Sequence, residues 1–390
     1  MIERLIKKQI IYFAKKFPVV MLTGPRQSGK STLLRNSFPK YHYVSMEEPD
    51  VRAAALADPR SFLDHLQGKT IIDEAQHVPE LFSYIQTRVD AENSSGMYIL
   101  SGSQNFLLMQ QITQSLAGRT AVLKLLPFSF SELQKTDEHP ETIDKSMLTG
   151  GYPRIYDKHI KPAEFYPNYL QTYVERDVRQ LRNIANLSLF IRFLKLCAGR
   201  IGQILNISSL ANDCGIKNDT AQAWLSALET SYIIFQLKPY YKNFNKRLIK
   251  SPKLYFYDTG LACSLLSIEN TTQLNTHFLR GSLFENWAVT EYLKQSYAKA
   301  KEPEIYFWRD SNGNEIDLLI EQGGQLQAVE LKSNSTMHSD DFKGLRYWQA
   351  LSGVSPATCR VVYTGSLSLK TEKGLYVPWK DWAIPSKKNP

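Results

Sequence analysis

The amino-acid sequence predicts an α/β fold, and three observations carry that prediction. A short apolar run, Val19 to Leu22, breaks into a glycine-rich loop and then a helical stretch, Thr32 to Asn36. Further apolar strands, Thr70 to Asp73 and Met97 to Leu100, alternate with helical segments behind it, as in a sheet covered by helices. Near the C-terminus a long amphipathic helix precedes a strand, a turn and two more strands (305–309, 315–320 and 327–332). At 390 residues the chain exceeds one typical domain. Four segments are expected: an α/β core over 1–160, a helical connector over 161–200, a helix-and-hairpin module over 201–265, and a second α/β domain over 266–390.

Composition narrows the class. An apolar content of 43% is enough for proper cores, and no stretch has the composition of a disordered segment. The net charge of +9 favours a polyanionic partner, most simply nucleic acid. Cys197, Cys214, Cys263 and Cys359 lie far apart, which fits reduced core thiols of a cytoplasmic protein better than disulfides or a zinc site. The first sixteen residues form an amphipathic pattern interrupted by Lys7, Lys8, Lys15 and Lys16, unlike a signal peptide. No apolar run approaches the ~18 residues of a membrane span, so no membrane partner is expected.

Residues 18–32, Pro-Val-Val-Met-Leu-Thr-Gly-Pro-Arg-Gln-Ser-Gly-Lys-Ser-Thr, fill every fixed position of a phosphate-binding loop: Gly24, Gly29, Lys30 and Ser31. The glycines let backbone N–H groups converge on phosphate oxygens, and the following helix adds its positive dipole end. Gly24, Pro25, Arg26, Gln27, Ser28, Gly29, Lys30, Ser31 and Thr32 are therefore the expected cradle of a nucleoside triphosphate, ATP with Mg²⁺. Lys30 is expected on the β/γ-phosphates and the Ser31 hydroxyl on Mg²⁺.

Thr70-Ile71-Ile72-Asp73-Glu74-Ala75 reads as the acidic strand that partners such a loop. Asp73 is expected in the Mg²⁺ shell, and Glu74 is expected to orient and polarise the attacking water. Met97 to Leu100 then closes on Ser101-Gly102-Ser103-Gln104, where Ser103 or Gln104 stands as a polar sensor of the γ-phosphate or as ordinary turn chemistry. Arg119, in Leu-Ala-Gly-Arg-Thr, has three open roles. It neutralises γ-phosphate charge within its own chain, reaches a neighbouring subunit as a finger, or is simply a solvated arginine. The finger role implies a homo-oligomer.

These segments, together with Leu-Pro-Phe-Ser-Phe-Ser-Glu-Leu (126–133) and Gly150-Gly151-Tyr152-Pro153, resemble one family. It is the large group of bacterial and archaeal AAA+-like ATPases with a C-terminal domain of unassigned function. The resemblance covers nearly the whole chain and implies a three-layer P-loop ATPase fold at its N-terminus.

In the middle, residues 165–200 are helical by period, with Tyr169, Tyr173, Val174, Val178 and Leu181 on one face. Glu175-Arg176-Asp177 is either a family element or a salt-bridged helix surface. Ile207 to Ile216 opens with helix-capping serines, and Ala211 four residues before Gly215 suits a close helix crossing and a sharp turn. A second helix (Asn218 to Ser231) and two strands (Tyr232 to Leu237, Lys253 to Tyr257) complete a winged-helix layout. Its wing carries Lys242, Lys246, Arg247 and Lys250 interleaved with Tyr240, Tyr241 and Phe244, a pattern suited to phosphate contact and stacking. The second helix has Asp219, Glu229 and no arginine, so backbone-dominated contact with duplex or branched DNA is expected rather than base reading. An interdomain spacer is the alternative.

The last third holds a second constellation. Asp317 on one strand, then Glu330-Leu331-Lys332 on the next, is the active-site order of restriction-endonuclease-like nucleases. Period-2 alternation puts Glu330 and Lys332 on one face. Asp317 and Glu330 are expected to share Mg²⁺, with Lys332 beside it and Glu285 on the preceding helix as a further acid. The domain either cuts DNA or keeps the fold for binding alone. The sequence therefore reads as an ATP-hydrolysing protein acting on DNA. The other reading is a nucleotide-dependent switch that docks a protein partner around a non-catalytic nuclease-like scaffold.

Overall fold

Strand residues of the N-terminal segment alternate between two apolar faces, and that alternation builds the first half of the molecule. The computed structural model describes residues 2–66, 68–103, 115–173, 186–241 and 249–384. They form two compact units. The first comprises Met1–Phe128 with the short segments Thr230–Tyr232 and Ser296–Lys301. Its five strands are β1 (Val19–Thr23), β2 (His42–Ser45), β3 (Thr70–Asp73), β4 (Tyr98–Gly102) and β5 (Thr120–Lys124). All are parallel, in the order β2-β3-β4-β1-β5. Val20, Leu22, Ile71, Ile99 and Leu123 pack on one side with Ile10, Leu33 and Leu34 from the helices Lys7–Ala14 and Lys30–Ser37. Val19, Met21, Ile72 and Leu100 pack on the other with Leu81, Phe82, Ile85 and Val89 of the helix Leu81–Glu92. Helices on both faces make the expected three-layer α/β fold. The order places β4 between β1 and β3, so the carboxyl ends of all three strands meet at one edge. In such sheets that edge receives ligands.

The second unit comprises Ser129–Glu229, Ile233–Gln295 and Glu302–Pro390. Asn206 caps the helix Ile207–Cys214, and Gly215 ends it in the left-handed region (φ 77°) before the helix Asn218–Thr230. Strands β6 (Ile234–Leu237) and β7 (Lys253–Phe256) follow as an antiparallel pair, and Ile204 bridges to Lys253 on the other side of β7. Asp258 ties this region together. Its carboxylate accepts from Gly151 N (2.8 Å), Tyr166 Oη (2.7 Å) and Leu261 N (3.1 Å), which accounts structurally for the Gly-Gly-Tyr-Pro segment.

A six-stranded sheet follows the helix Arg280–Ala298. Its strands are β8 (Glu304–Arg309), β9 (Glu315–Gln322), β10 (Gln325–Lys332), β11 (Cys359–Tyr363), β12 (Leu369–Thr371) and β13 (Gly374–Pro378), in the order β12-β13-β11-β10-β9-β8. The β8–β9–β10 meander is antiparallel, while β10–β11 and β11–β13 are parallel. Helix Lys343–Ser352 covers one face through Leu345 and Trp348. Among the described residues no helix is long and apolar enough to cross a membrane.

Candidate functional site

Two groups of side chains stand out, one in each unit. In the first unit, β1 ends at Thr23 and the chain turns through the phosphate-binding loop into the helix Lys30–Ser37. Gly24 (φ 150°) passes so close to β5 that a Cβ there would lie 2.0 Å from the Leu125 carbonyl oxygen. Gly29 sits in the left-handed region (φ 90°) as the helix N-cap. Both glycines are therefore required by backbone geometry. Lys30, only 5% exposed, donates its ammonium to the carbonyls of Gly24 (3.0 Å) and Pro25 (2.9 Å). Ser31 and Thr32 follow it in the first turn of the helix. Gln27 is left-handed (φ 59°), while Arg26 reaches Glu47 at 3.6 Å. Ser28 is buried, and its hydroxyl has no partner among the described residues.

Asp73 ends β3 beside the loop's strand layer. Its carboxylate accepts from Tyr43 Oη (2.7 Å) and from the Ser101 hydroxyl. Burial, and then the Asp73 carboxylate, push the Tyr43 phenol well above its ordinary range, so Tyr43 remains a donor. Glu74 is strained into the left-handed region (φ 52°). Its Oε2 accepts from Ser103 Oγ (3.1 Å) and from the Gln76 amide, and that amide also reaches Ser103 Oγ at 3.4 Å. Gln76 Oε1 and His77 Nε2 are buried without a hydrogen-bond partner among the described residues, and burial holds the His77 imidazole below its ordinary pKa. Sequence reasoning named Asp73, Glu74 and Ser103 but missed Tyr43, Ser101 and Gln76. Gln76 was within reach, two residues beyond the acidic pair. Gln104 lies outside the described residues.

Arg119 needs correction. Its guanidinium forks onto Asp90 (Nη2–Oδ2 2.9 Å) and also donates to the Ala117 carbonyl. Val19 N donates to the Arg119 carbonyl, so this residue sits at the amino end of β1, whereas the phosphate-binding loop leaves the carboxyl end. Five parallel-strand residues at ~3.3 Å each separate the two ends. Arg119 does not line its own chain's loop.

In the second unit, Val329 pairs with Leu318, which carries Glu330 up to Asp317. Asp317 Oδ2 accepts from Leu331 N (2.8 Å), and Lys332 Nζ holds Glu330 Oε2 at 2.6 Å. Glu285, on the helix Arg280–Ala298, joins them with two partners that the sequence did not flag. Lys253 Nζ lies 2.7 Å from Glu285 Oε1 and also pairs with Glu315, while Tyr255 donates to the same Glu285 oxygen. Lys253 and Tyr255 are two apart on β7 and so share a face. Glu315 is further bound by Arg309, its cross-strand neighbour, at 3.2 Å. Gly344 allows the covering helix to approach, since a Cβ there would meet Glu330 Oε1 at 2.5 Å.

Burial pushes the Glu285 carboxyl up to about 7, against Lys253 and helped by Asp317. Burial and Asp317 push Glu330 up to about 8, against Lys332. For Lys253, burial is outweighed by Tyr255, Glu285, Asp317 and Glu315, which hold it well above the ordinary lysine value. Among the described residues, no group of three or more His, Cys, Asp or Glu side chains is gathered closely enough to hold a metal ion. A lysine at the start of an otherwise apolar buried strand was the available signal for Lys253.

Of the expected DNA contacts, Lys242, Lys246 and Arg247, with Phe244, lie outside the described residues, as do residues 174–185 with the Glu-Arg-Asp element. Lys250 is exposed. Tyr241 is 63% exposed, but Tyr240 is not free for stacking on a base. It packs against Tyr306 and Trp348 (ring centroids 5.5 and 6.3 Å), and its N–H donates to the Phe307 carbonyl at the edge of β8.

A family model described as an AAA domain matches residues 16–134. Models of two domains of unknown function, DUF8612 and DUF4143, match residues 140–272 and 280–382. An uncharacterized protein of Mycobacterium tuberculosis is 33% identical over 353 residues, 89% of this chain and 77% of that one. The chain belongs to the family of AAA-domain proteins that carry a C-terminal DUF4143 domain. An uncharacterized protein of Methanocaldococcus jannaschii is 24% identical, spanning 77% of this chain and 72% of its own. The Walker-type ATPase Paby2304 of Pyrococcus abyssi is similar over 68% of this chain and 96% of its own, at 16% identity and a TM-score of 0.46. The AAA domain has the P-loop ATPase fold, and proteins of that fold bind nucleotide, generally with Mg²⁺.

Proposed function

We propose that this AAA-domain protein binds and hydrolyses ATP and couples that reaction to DNA. The observation that carries the first half is the complete set of polar groups at one sheet edge, several of them buried without partners. Among the described residues, Ser28 Oγ, Gln76 Oε1 and His77 Nε2 have no hydrogen-bond partner. The Lys30 ammonium rests on two loop carbonyls from which a phosphate would draw it. Buried polar groups left unmatched cost free energy, and a bound triphosphate with its water shell would remove that cost. The residues fit the ligand.

Lys30 and the loop N–H groups would hold the phosphates, and Ser31 and Asp73 would hold Mg²⁺, which would supply charge neutralisation for phosphoryl transfer. Tyr43 and Ser101 fix the Asp73 carboxylate. Ser103 and Gln76 aim Glu74. Glu74 accepts a proton as water oxygen bonds to the γ-phosphorus and the bond to the β–γ bridging oxygen breaks, leaving ADP and phosphate.

DNA is supported by the charge of +9 and by two helices joined at Gly215 and followed by β6, β7 and the Ile204 bridge, the elements on which a winged-helix reading rests. It is supported also by Asp317 and then Glu330 and Lys332 on adjacent antiparallel strands, the order expected of a nuclease-like site. Contact is through phosphates rather than base edges. One observation favours the second reading, a nucleotide-dependent switch for a protein partner: Tyr240 and its backbone close the edge of β8 instead of facing outward.

One experiment decides between them. ATP turnover is measured with duplex, single-stranded and forked DNA, alongside binding at rising salt. DNA stimulation with steeply salt-sensitive binding is expected. A flat response across all three substrates overturns the DNA half in favour of the switch. Loss of turnover in Lys30→Ala is expected, and undiminished turnover there overturns the ATPase assignment.

A further inference from the structure

We propose that the acid cluster of the DUF4143 domain is closed by a tethered ammonium, that of Lys253, in place of a divalent cation. The domain on this account grips its ligand without cutting it. The inference rests on the nuclease-like reading of this domain, because that reading is what would put Mg²⁺ among Glu285, Asp317 and Glu330. The side chains do not fit that ion.

On each carboxylate that would share the cation, one oxygen already has its donor. Glu285 Oε1 takes the Lys253 ammonium at 2.7 Å and the Tyr255 hydroxyl. Glu330 Oε2 takes the Lys332 ammonium at 2.6 Å, and Asp317 Oδ2 takes the Leu331 N–H at 2.8 Å. Lys253 is not a surface lysine that could swing clear. It is 3% exposed, and every residue of β7 is buried. Its strand is fixed on both sides, by β6 through the Leu237–Lys253 register and by Ile204. A second acid, Glu315, pairs with the same ammonium. Phe307 lies beneath it, ring centroid 5.5 Å away.

An ammonium and a divalent cation competing for the same oxygens repel twice as strongly as two single charges at equal distance. The repulsion is weakly screened where water is excluded. Two lysines and Arg309 balance most of the acid charge without any ion. Among the described residues no carboxylate trio is gathered closely enough to hold a metal ion, while Glu285 and Glu315 converge on the Lys253 ammonium and Glu330 on that of Lys332.

The test uses the full-length chain, nucleotide-free, titrated with Mn²⁺ and followed by the electron paramagnetic resonance signal of the free ion. Wild type and Asp317→Asn are expected to titrate alike. Lys253→Met is expected to gain one Mn²⁺ site at least tenfold tighter than any Asp317-dependent binding in wild type, and Lys253→Met with Asp317→Asn is expected to lose it. A wild-type Mn²⁺ site that Asp317→Asn abolishes overturns the proposal, and that arm decides even if Lys253→Met does not fold. A folded Lys253→Met that gains no site also overturns it. DNA binding of the same samples in EDTA is read separately. Absence of binding there overturns the DNA reading and leaves the outcome of the metal titration intact.

Discussion

The loop site of the AAA domain and the acid–lysine cluster of the DUF4143 domain are both buried, charged and built at strand ends, yet they differ in one respect. Around the loop, Ser28 Oγ, Gln76 Oε1 and His77 Nε2 lack partners among the described residues, and Glu74 is held in a strained backbone conformation. Around Asp317, the charged side chains are already matched: Lys253 with Glu285 and Glu315, Lys332 with Glu330, Arg309 with Glu315. Unmatched buried groups mark a place that gains from a ligand, whereas matched ones mark a place that is stable without one. Similar residue types therefore point to opposite expectations, and satisfaction rather than composition separates them.

The largest effect that tests this contrast lies at Glu74. If its carboxylate accepts the proton from the attacking water, Glu74→Gln lowers kcat for ATP hydrolysis by about 10²–10⁴-fold. The Kd for ATP, measured calorimetrically, stays close to wild type because the amide keeps the shape and the Ser103 contact. A kcat within a few-fold of wild type would remove Glu74 from the reaction and weaken the contrast from the loop side.

Next in size is Lys253→Met, now read by stability. Removing one partner of a buried ion pair leaves uncompensated charge and costs about 3–5 kcal/mol. Urea unfolding of the full chain should show that loss in the transition that contains the DUF4143 domain. Added Mn²⁺ should recover part of it in proportion to the logarithm of concentration. Wild type should gain no stability of this kind through Asp317. Loss without recovery would overturn the proposal that the Lys253 ammonium stands in place of the ion.

Much of this was readable along the chain, and the exceptions share a physical cause. The loop, Asp73 and Glu74 were legible because phosphate binding fixes spacing within a few residues and because parallel strands impose their own order. Lys253 was not, since its partner Glu285 lies 32 residues away and belongs to a helix that no local pattern pairs with β7. Tyr240 misled because aromatics among cations suit DNA, while alternation cannot say which sheet edge a strand will join. Arg119 carried a readable clue that went unused. A residue just before a strand of a parallel sheet lies at the amino edge, opposite the edge where ligands bind.

A smaller effect concerns pH. Glu330 has a folded pKa near 8 against an ordinary 4.5, raised by burial and then by Asp317. The folded state holds this proton more tightly than the unfolded state, so the contribution is fully present below 4.5 and is lost as pH rises through about 8. Wild-type Tm should fall over that window, and Glu330→Gln should flatten the slope. An unchanged slope would show that Lys332 compensates the carboxylate fully, which would make the cluster even more self-contained.

The smallest expected effect is at Arg119, and its value lies in where it acts. The Asp90 pair is largely solvent-exposed and sits at the amino end of the sheet, so Arg119→Ala should leave kcat of dilute, single chains unchanged. A finger reaching another subunit behaves differently. Its loss lowers turnover only at concentrations where chains associate, and mixing Arg119→Ala with Glu74→Gln restores activity, because one variant supplies the arginine and the other the glutamate. Turnover that is independent of protein concentration, with no rescue on mixing, would leave Arg119 as the surface partner of Asp90. The loop site would then be completed entirely by its own chain.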